Sequence, residues 1–287
     1  MNSICLDIGG TSIKGGYFSN NNLLETFSIP SNGKLGRVEI LKSIDFIMNE
    51  IIKKYPHFDY IGISSAGNID YKNGICIYAS NNLKDWTNFN IKEYFNDKYH
   101  KLVFVENDAV CALLGEIYPT YLDKTIFMIT LGTGVGATLY KDKKIYYGND
   151  FDLGKFAHHI IKDNGNLCDC GNKGCAEKEI SATGLKVIIN KVFNKEISII
   201  ELFNLFRNKD ILAKKVLDEY FYYLKKYLDY IINDIEVDHI IIGGGLINSK
   251  DVFELYLDSY KDIIIYAVNG NNAGIIGANL LINREVL

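Results

Sequence analysis

The sequence predicts an α/β protein built as two similar halves facing a cleft. A strand–glycine–strand hairpin occurs twice, in "SICLDIGGTSIKGGYF" and in "TIFMITLGTGVGATLYKD", and each copy precedes helices and later strands. No stretch between the copies is rich in Pro, Ser or Gly, so the halves are expected to pack together rather than hang on a loose tether. The chain has 287 residues, which fits one large domain or two of ordinary size.

The elements follow in order. Residues 3–8 read as a buried strand, and "IKGGYF" and "LLETFSI" as two more, with turn signals at Gly15–Gly16 and at Asn20 to Asn22. "RVEILKSIDFIMNEIIKKY" places Ile40, Ile44, Ile47, Met48, Ile51 and Ile52 at helical spacing. "YIGIS" (60–64) and "LVFV" (102–105) are strands, and "DAVCALLGEIY" is a helix stopped by Pro119. The second half restarts with "TIFMITLG" and "GATLYKD", joined by "GTGV" and followed by a turn at Asp142. Two long helices fill about 199–234, "DHIIIGGG" is a late strand, and "NAGIIGANLLIN" closes the chain as a small-residue helix.

Hydrophobic residues make up 48% and charged residues 23%, as in a globular soluble protein. The net charge is −4 and no long basic run occurs, which argues against nucleic-acid binding as the main role. No apolar stretch approaches a bilayer's thickness, and "MNSICLDIGG" lacks the charged and apolar regions of a secretory signal. The expected compartment is cytoplasmic, so the six cysteines need a role other than disulfides.

Three glycine clusters each stand at a strand end. "DIGGTSIKGG" places Asp7 there, followed by Gly9, Gly10 and Thr11; "LGTGVGA" repeats the device with Gly132, Thr133, Gly134 and Gly136; "IIIGGGL" offers a third. Glycines let backbone N–H groups crowd an anion, Thr11 adds a hydroxyl, Lys14 a charge, and Asp7 is placed to hold water around a magnesium ion. A single such cluster reads as a structural turn, whereas three favour phosphate binding. The first two turns lead into strands rather than helices, which excludes the dinucleotide fingerprint, and no G-K-[ST] follows to make a Walker-type loop.

In "LVFVENDAVCALLGE" an apolar strand ends on Glu106, Asn107 and Asp108 at the mouth of a helix. Asn107 or Asp108 could simply cap that helix. With phosphate turns in the same chain, Asp108 becomes a candidate base. The helix's partial positive charge would keep it ionised, ready to take a proton from a hydroxyl that attacks phosphorus. Asn107 can both donate and accept, which suits a second hydroxyl.

"AHHIIKDNGNLCDCGNKGCAEKE" spaces Cys168, Cys170 and Cys175 as C-x-C-x4-C, with His158 upstream. Three thiolates and one imidazole complete a tetrahedral zinc (Zn2+) site, with His159 an alternative ligand. With all four ligands from protein the metal would be structural, pinning a loop that carries Glu177, while the second nitrogen of His158 could meet a hydroxyl. Cys5, Cys76 and Cys111 sit among apolar residues and read as packing residues.

Together these motifs resemble the ROK family of bacterial sugar kinases and repressors, nearly end to end. The likeness includes "DIGGTSIKGG", "GISSAGNID", "NNLKDW", "ENDAVCALLGE", "LGTGVGA", "HHIIKDNGNLCDCGNKGCAE" and "IIIGGGL". It implies the two-lobed actin-like ATPase fold, related to ribonuclease H, with a central cleft. The first lobe would span 1–118 and be joined by the C-terminal helix at about 272–287; the second would span 119–271 and carry the zinc loop. It implies an ATP- and magnesium-dependent (Mg2+) sugar kinase acting on O6 of a hexose, an N-acetylhexosamine or a β-glucoside, and a homodimer. By the same resemblance Asp108 is the catalytic base, and Gly67, Asn68, Asn107, His158 and Glu177 contact the sugar. Gly9, Gly10, Thr11 and Gly132 to Gly134 hold the ATP phosphates, and Gly244 lies near the nucleoside. Repressor members carry a DNA-binding helix-turn-helix ahead of the first glycine motif; here that motif starts at Asp7, so the kinase branch is expected. Family kinases usually read E-x-G-H where this chain reads Lys155-Phe156-Ala157-His158. Lys155 donates but cannot accept, which changes the hydrogen-bond pattern demanded of a sugar and raises a sugar-binding protein without catalysis as the alternative.

Overall fold

The computed structural model describes residues 1–149 and 151–283. The chain separates into two compact units: Met1–Leu122 with Tyr147–Asp152 and Asn271–Leu287, and Asp123–Tyr146 with Leu153–Gly270.

The first unit is built on β1 (Asn2–Ile8), β2 (Ser12–Ser19), β3 (Asn22–Pro30), α1 (Arg37–Lys54) and β4 (Tyr60–Ser65). A small sheet follows from β5 (Asn68–Asp70), β6 (Ile75–Tyr78) and β7 (Phe89–Asn90), then α2 (Ile91–Tyr99), β8 (Leu102–Asn107) and α3 (Asp108–Ile117). The main sheet has the order β3-β2-β1-β4-β8, antiparallel through the meander and parallel from β1 to β4 to β8. Burial follows position. All six residues of the interior strand β4 are buried, whereas edge strand β3 alternates exposed and half-buried. On α1, Ile40, Ile44, Ile47, Met48 and Ile51 form the buried stripe that the spacing predicts.

One expectation is corrected here. Gly15 and Gly16 are not a turn; they lie in the middle of β2, paired with Leu6 and Cys5. They are small because helices press on the strand from both sides. A Cβ on Gly15 would come 2.6 Å from Ile51 Cδ1, and one on Gly16 2.9 Å from Ile275 Cδ1. The true turn is Gly9-Gly10-Thr11, closed by the Gly9 N–H donating to the Ser12 carbonyl at 3.0 Å.

The second unit repeats the plan. Its strands are β9 (Ile126–Leu131), β10 (Val135–Lys141), β11 (Lys144–Ile145), β12 (His239–Gly243) and β13 (Ile264–Tyr266), in the order β11-β10-β9-β12-β13. Again the first three are antiparallel and β9, β12 and β13 parallel. Its helices are α4 (Ala176–Glu179), α5 (Ala182–Phe193), α6 (Ile199–Arg207), α7 (Ile211–Tyr230) and α8 (Lys250–Tyr256). Ser198 and Asp210 cap α6 and α7 by accepting from the N–H groups of Glu201 and Ala213. The stripe Ala213, Val216, Leu217, Tyr220, Phe221, Leu224, Tyr227 and Leu228 buries α7 against the sheet's core.

Candidate active site

In the first unit three adjacent parallel strands end together, and polar residues gather at their C-terminal ends, where open α/β sheets bind ligands. β1 delivers Asp7, β4 delivers Ser64 and β8 delivers Glu106 and Asn107 just ahead of Asp108. Ser64 Oγ donates to Asp7 Oδ1 at 2.6 Å. Lys14 is the cross-strand partner of Asp7, and its Nζ donates to the Asn271 carbonyl at 2.6 Å. The C-terminal helix (Ala273–Leu280) starts against the same acid: a Cβ on Gly274 would lie 2.8 Å from Asp7 Cγ. Burial raises the Asp7 pKa above the usual carboxylate range, against the opposing pull of the Ser64 hydroxyl and the Lys14 charge.

The run Glu106-Asn107-Asp108 divides three tasks. Glu106 is fully buried; its Oε1 accepts from the Asn107 N–H at 2.7 Å and its Oε2 from the Tyr147 hydroxyl at 2.8 Å. Asn107 is the N-cap of α3, its Oδ1 accepting from the N–H groups of Ala109 (2.8 Å) and Val110 (3.2 Å). Its Nδ2 donates to the Gly67 carbonyl at 2.8 Å, which ties the loop before Asn68 to the helix mouth. The capping reading of Asn107 therefore holds, and its side chain also interacts with the Asp108 carboxyl.

Asp108 is the first residue of α3, and its Oδ1 accepts from the Ala109 N–H at 2.9 Å. The helix terminus does not keep this acid in the ordinary carboxylate range. Asp108 is half-buried by accessible surface, yet protein atoms crowd its carboxyl, and that desolvation, followed by the Asp7 charge, pushes the pKa up to about 7. Capping donors to the carboxyl oppose the shift and lose to it. A carboxyl poised near neutrality suits a general base.

In the second unit the turn after β9 is held tightly. Gly132 donates to the Gly134 carbonyl (3.0 Å), while the Gly132 and Thr133 carbonyls accept from the Ala182 N–H (2.8 Å) and the Thr183 hydroxyl (2.8 Å) at the start of α5. Thr133 is exposed, and Gly132 and Gly134 are half-buried. Gly244 sits at φ +91° against the end of β9, where a Cβ would meet the Leu131 carbonyl at 2.5 Å; only glycine fits this close approach.

The cysteine–histidine cluster assembles as the spacing predicts. Ligand atoms of His158, Cys168, Cys170 and Cys175 all lie within 4.8 Å of one another. Cys168 Sγ is 3.4 Å from His158 Nδ1, and Cys170 Sγ is 3.6 Å from Cys175 Sγ. Ligands on a tetrahedral zinc, bound at about 2.0–2.3 Å, stand about 3.3–3.8 Å apart, so these two pairs have the spacing of that ion and the donor types suit it. Burial pushes the Cys168 thiol up to about 12, so a thiolate there calls for a cation. His158 is the imidazole that joins the three cysteines, while the ring of His159 stacks on Tyr230 with centroids 3.6 Å apart. With Nδ1 of His158 turned to the cluster, Nε2 is the nitrogen left for a hydroxyl. Glu177 Oε2 lies 3.6 Å from His158 Nδ1 and 3.4 Å from Cys168 Sγ, and its Oε1 lies beside Gly134. Lys155 is exposed, in a left-handed turn at φ +54°.

Sequence reasoning missed Ser64, the buried role of Glu106, and Tyr147. Tyr147 stacks with Tyr71 (ring centroids 4.6 Å apart) and reaches Glu106 from 41 residues away, a pairing no local pattern announces.

The chain is similar to known proteins over nearly its full length. Residues 3–285 match the model of the ROK family. A glucokinase of Halalkalibacterium halodurans is 29% identical, covering 98% of this chain and 94% of that enzyme. An N-acetylmannosamine kinase of Haemophilus influenzae is 25% identical, covering 97% and 94%. The crystal structure of a ROK family glucokinase from Streptomyces griseus, in complex with glucose and AMPPNP, superposes with a TM-score of 0.82 at 24% identity, covering 97% of this chain and 98% of that one. The fold is therefore the actin-like ATPase fold, in agreement with the doubled sheet topology.

Proposed function

Because the chain belongs to the ROK family, we propose that it is an ATP- and magnesium-dependent sugar kinase. Relatives named glucokinase and N-acetylmannosamine kinase support this reading; the substrate class we propose is a hexose, an N-acetylhexosamine or a β-glucoside, with O6 as acceptor. The observation that carries it is Asp108, a carboxyl with a pKa near 7 at the mouth of α3.

In the transfer, the sugar hydroxyl gives its proton to the Asp108 carboxylate as its oxygen bonds to the γ-phosphorus of ATP. The bond from that phosphorus to the bridging oxygen breaks, and ADP leaves with the electron pair. Asn107 and the loop it holds at Gly67 and Asn68 orient the sugar, as do Nε2 of His158 and Glu177. The turns at Gly9-Gly10-Thr11 and Gly132-Thr133-Gly134 take the phosphates, with Gly244 near the nucleoside and Lys14 adding charge beside Asp7. The Asp7 charge helps raise the Asp108 pKa, and an acid so close to the base suits a hard divalent cation, so Asp7 is the residue that would hold magnesium. Magnesium held there would supply the positive charge that offsets the charge on the phosphates. His158, Cys168, Cys170 and Cys175 would hold a zinc ion, which would fix the loop that carries Glu177. A cytoplasmic homodimer is the assembly we propose; light scattering after size exclusion reads its mass.

A panel of hexoses, N-acetylhexosamines and β-glucosides with coupled ADP detection tests the proposal. Sugar-dependent ADP release is expected from at least one of them. Sugar binding by calorimetry with no ADP release from any would replace the kinase with a sugar-binding protein, the reading that Lys155 favours.

A further inference from the structure

The zinc knuckle is gripped by a residue that is not one of its ligands. Helix α4 carries two acids with opposite assignments. Glu177 faces the His158–Cys168 side of the cluster, whereas Glu179 turns inward and is 1% exposed. Glu179 Oε1 accepts from the backbone N–H of Asn166 at 2.6 Å, two residues ahead of Cys168. Its Oε2 pairs with Lys162 Nζ at 3.3 Å. Lys162 is itself placed by Glu219 at 3.5 Å and by the Tyr223 ring, 4.5 Å to its centroid, both on α7.

The backbone around this acid is crowded. A Cβ on Gly165 would meet Glu179 Oε1 at 2.4 Å and Gly174 Cα at 2.7 Å, so Gly165 is pressed between the carboxyl and the second knuckle strand. The strands join directly through Gly174 N–H to the Asn166 carbonyl (2.9 Å) and Ile161 N–H to the Gly174 carbonyl (2.9 Å), with bridges at Leu167–Lys173 and Ile160–Cys175. The knuckle is thus shaped by protein contacts, which include an acid tied through Lys162 to α7.

We propose that Glu179 is a positioning residue for the metal. By holding the Asn166 N–H and Lys162 it fixes the approach of Cys168 to Cys170, Cys175 and His158. The proposal rests on the zinc reading of that cluster. Residues that orient metal ligands typically contribute about 10- to 100-fold to metal affinity. Glu179 shares the short helix α4 with Glu177, so its loss should also raise the KM for the sugar more than it lowers kcat.

The test is the rate at which the purified full-length protein releases zinc to a chromogenic chelator, after the metal content of each preparation is measured. Wild type is expected to hold one zinc per chain. Glu179→Ala should release it about 10- to 100-fold faster, and Glu179→Gln, which keeps an oxygen for the Asn166 N–H but loses the charge facing Lys162, should fall between. Lys214→Ala, which breaks an exposed pair with Asp218 elsewhere on α7, should match wild type. If Glu179→Ala does not fold, Glu179→Gln decides alone. Zinc-loaded wild type and Glu179→Gln releasing at one rate would overturn the positioning role and leave the metal reading intact. Wild type without zinc would overturn both.

Discussion

Asp108, the base in the proposed transfer, is a carboxyl whose ionised form is costly to the fold. Folding raises its pKa from 3.8 to about 7, chiefly by burial and then by Asp7. An acid raised on folding favours the folded state in its protonated form. That contribution is complete below pH 3.8 and is lost as pH climbs through about 7. At pH 8 the folded protein therefore carries a charge that burial disfavours. Asp108→Asn should then melt higher than wild type at pH 8, by roughly 2–4 °C per kcal/mol relieved, and the gap should close below pH 4. The same variant should lose about 10²- to 10⁴-fold in turnover. Differential scanning calorimetry at the two pH values checks the first expectation; a variant no more stable than wild type at pH 8 would count against a raised pKa. The position of this residue was legible because an acid follows an apolar strand at a helix mouth. Its raised pKa was not legible from sequence, since burial of the carboxyl and then the charge of Asp7, 101 residues earlier in the chain, come from the fold rather than from the local helix terminus.

At the level of elements, α3 and the C-terminal helix cross at glycines. A Cβ on Gly115 would come 2.5 Å from the Ala273 carbonyl, and one on Gly277 1.8 Å from the Cys111 carbonyl. Glycine inside a helix ordinarily costs about 0.5–1 kcal/mol relative to alanine, so Gly277→Ala would stabilise an uncrowded helix. Here the backbone clash should win, with a net loss of about 1–3 kcal/mol, read by denaturant unfolding. An unchanged or raised midpoint would show that the helices do not cross so closely. The small-residue pattern of "NAGIIGANLLIN" announced the helix but not what presses on it. The pair Gly15–Gly16 misled for the same reason: glycine marks a turn and a close packing site alike, and only the partners Ile51 and Ile275 decide between them. Strongly periodic segments such as α1 and α7 were readable because their apolar stripes are local. Helices α2, α5 and α8 and the small sheet β5-β6-β7 went unread; these are short elements whose formation depends on what they pack against.

At the scale of the whole chain, the two sheets share one topology, three antiparallel strands followed by two parallel ones. The duplication was legible because each unit opens with a hairpin whose turn is a glycine cluster. The contribution of Tyr147–Asp152 to the first unit was not, since those residues lie between stretches of the second. The cysteine knuckle was the most legible feature of all: its four ligands sit within 18 residues and meet as the spacing requires. What unites these parts in our account is a proton taken from a sugar hydroxyl by Asp108 while phosphate is transferred. The most direct test is the pH dependence of kcat/KM for sugar-dependent ADP formation. The account predicts a rate that climbs about tenfold per pH unit at low pH and levels off above about 7, with Asp108→Asn flat and near zero throughout. Wild-type activity that is level from pH 5 to 9, or Asp108→Asn turning over at the wild-type rate, would contradict it.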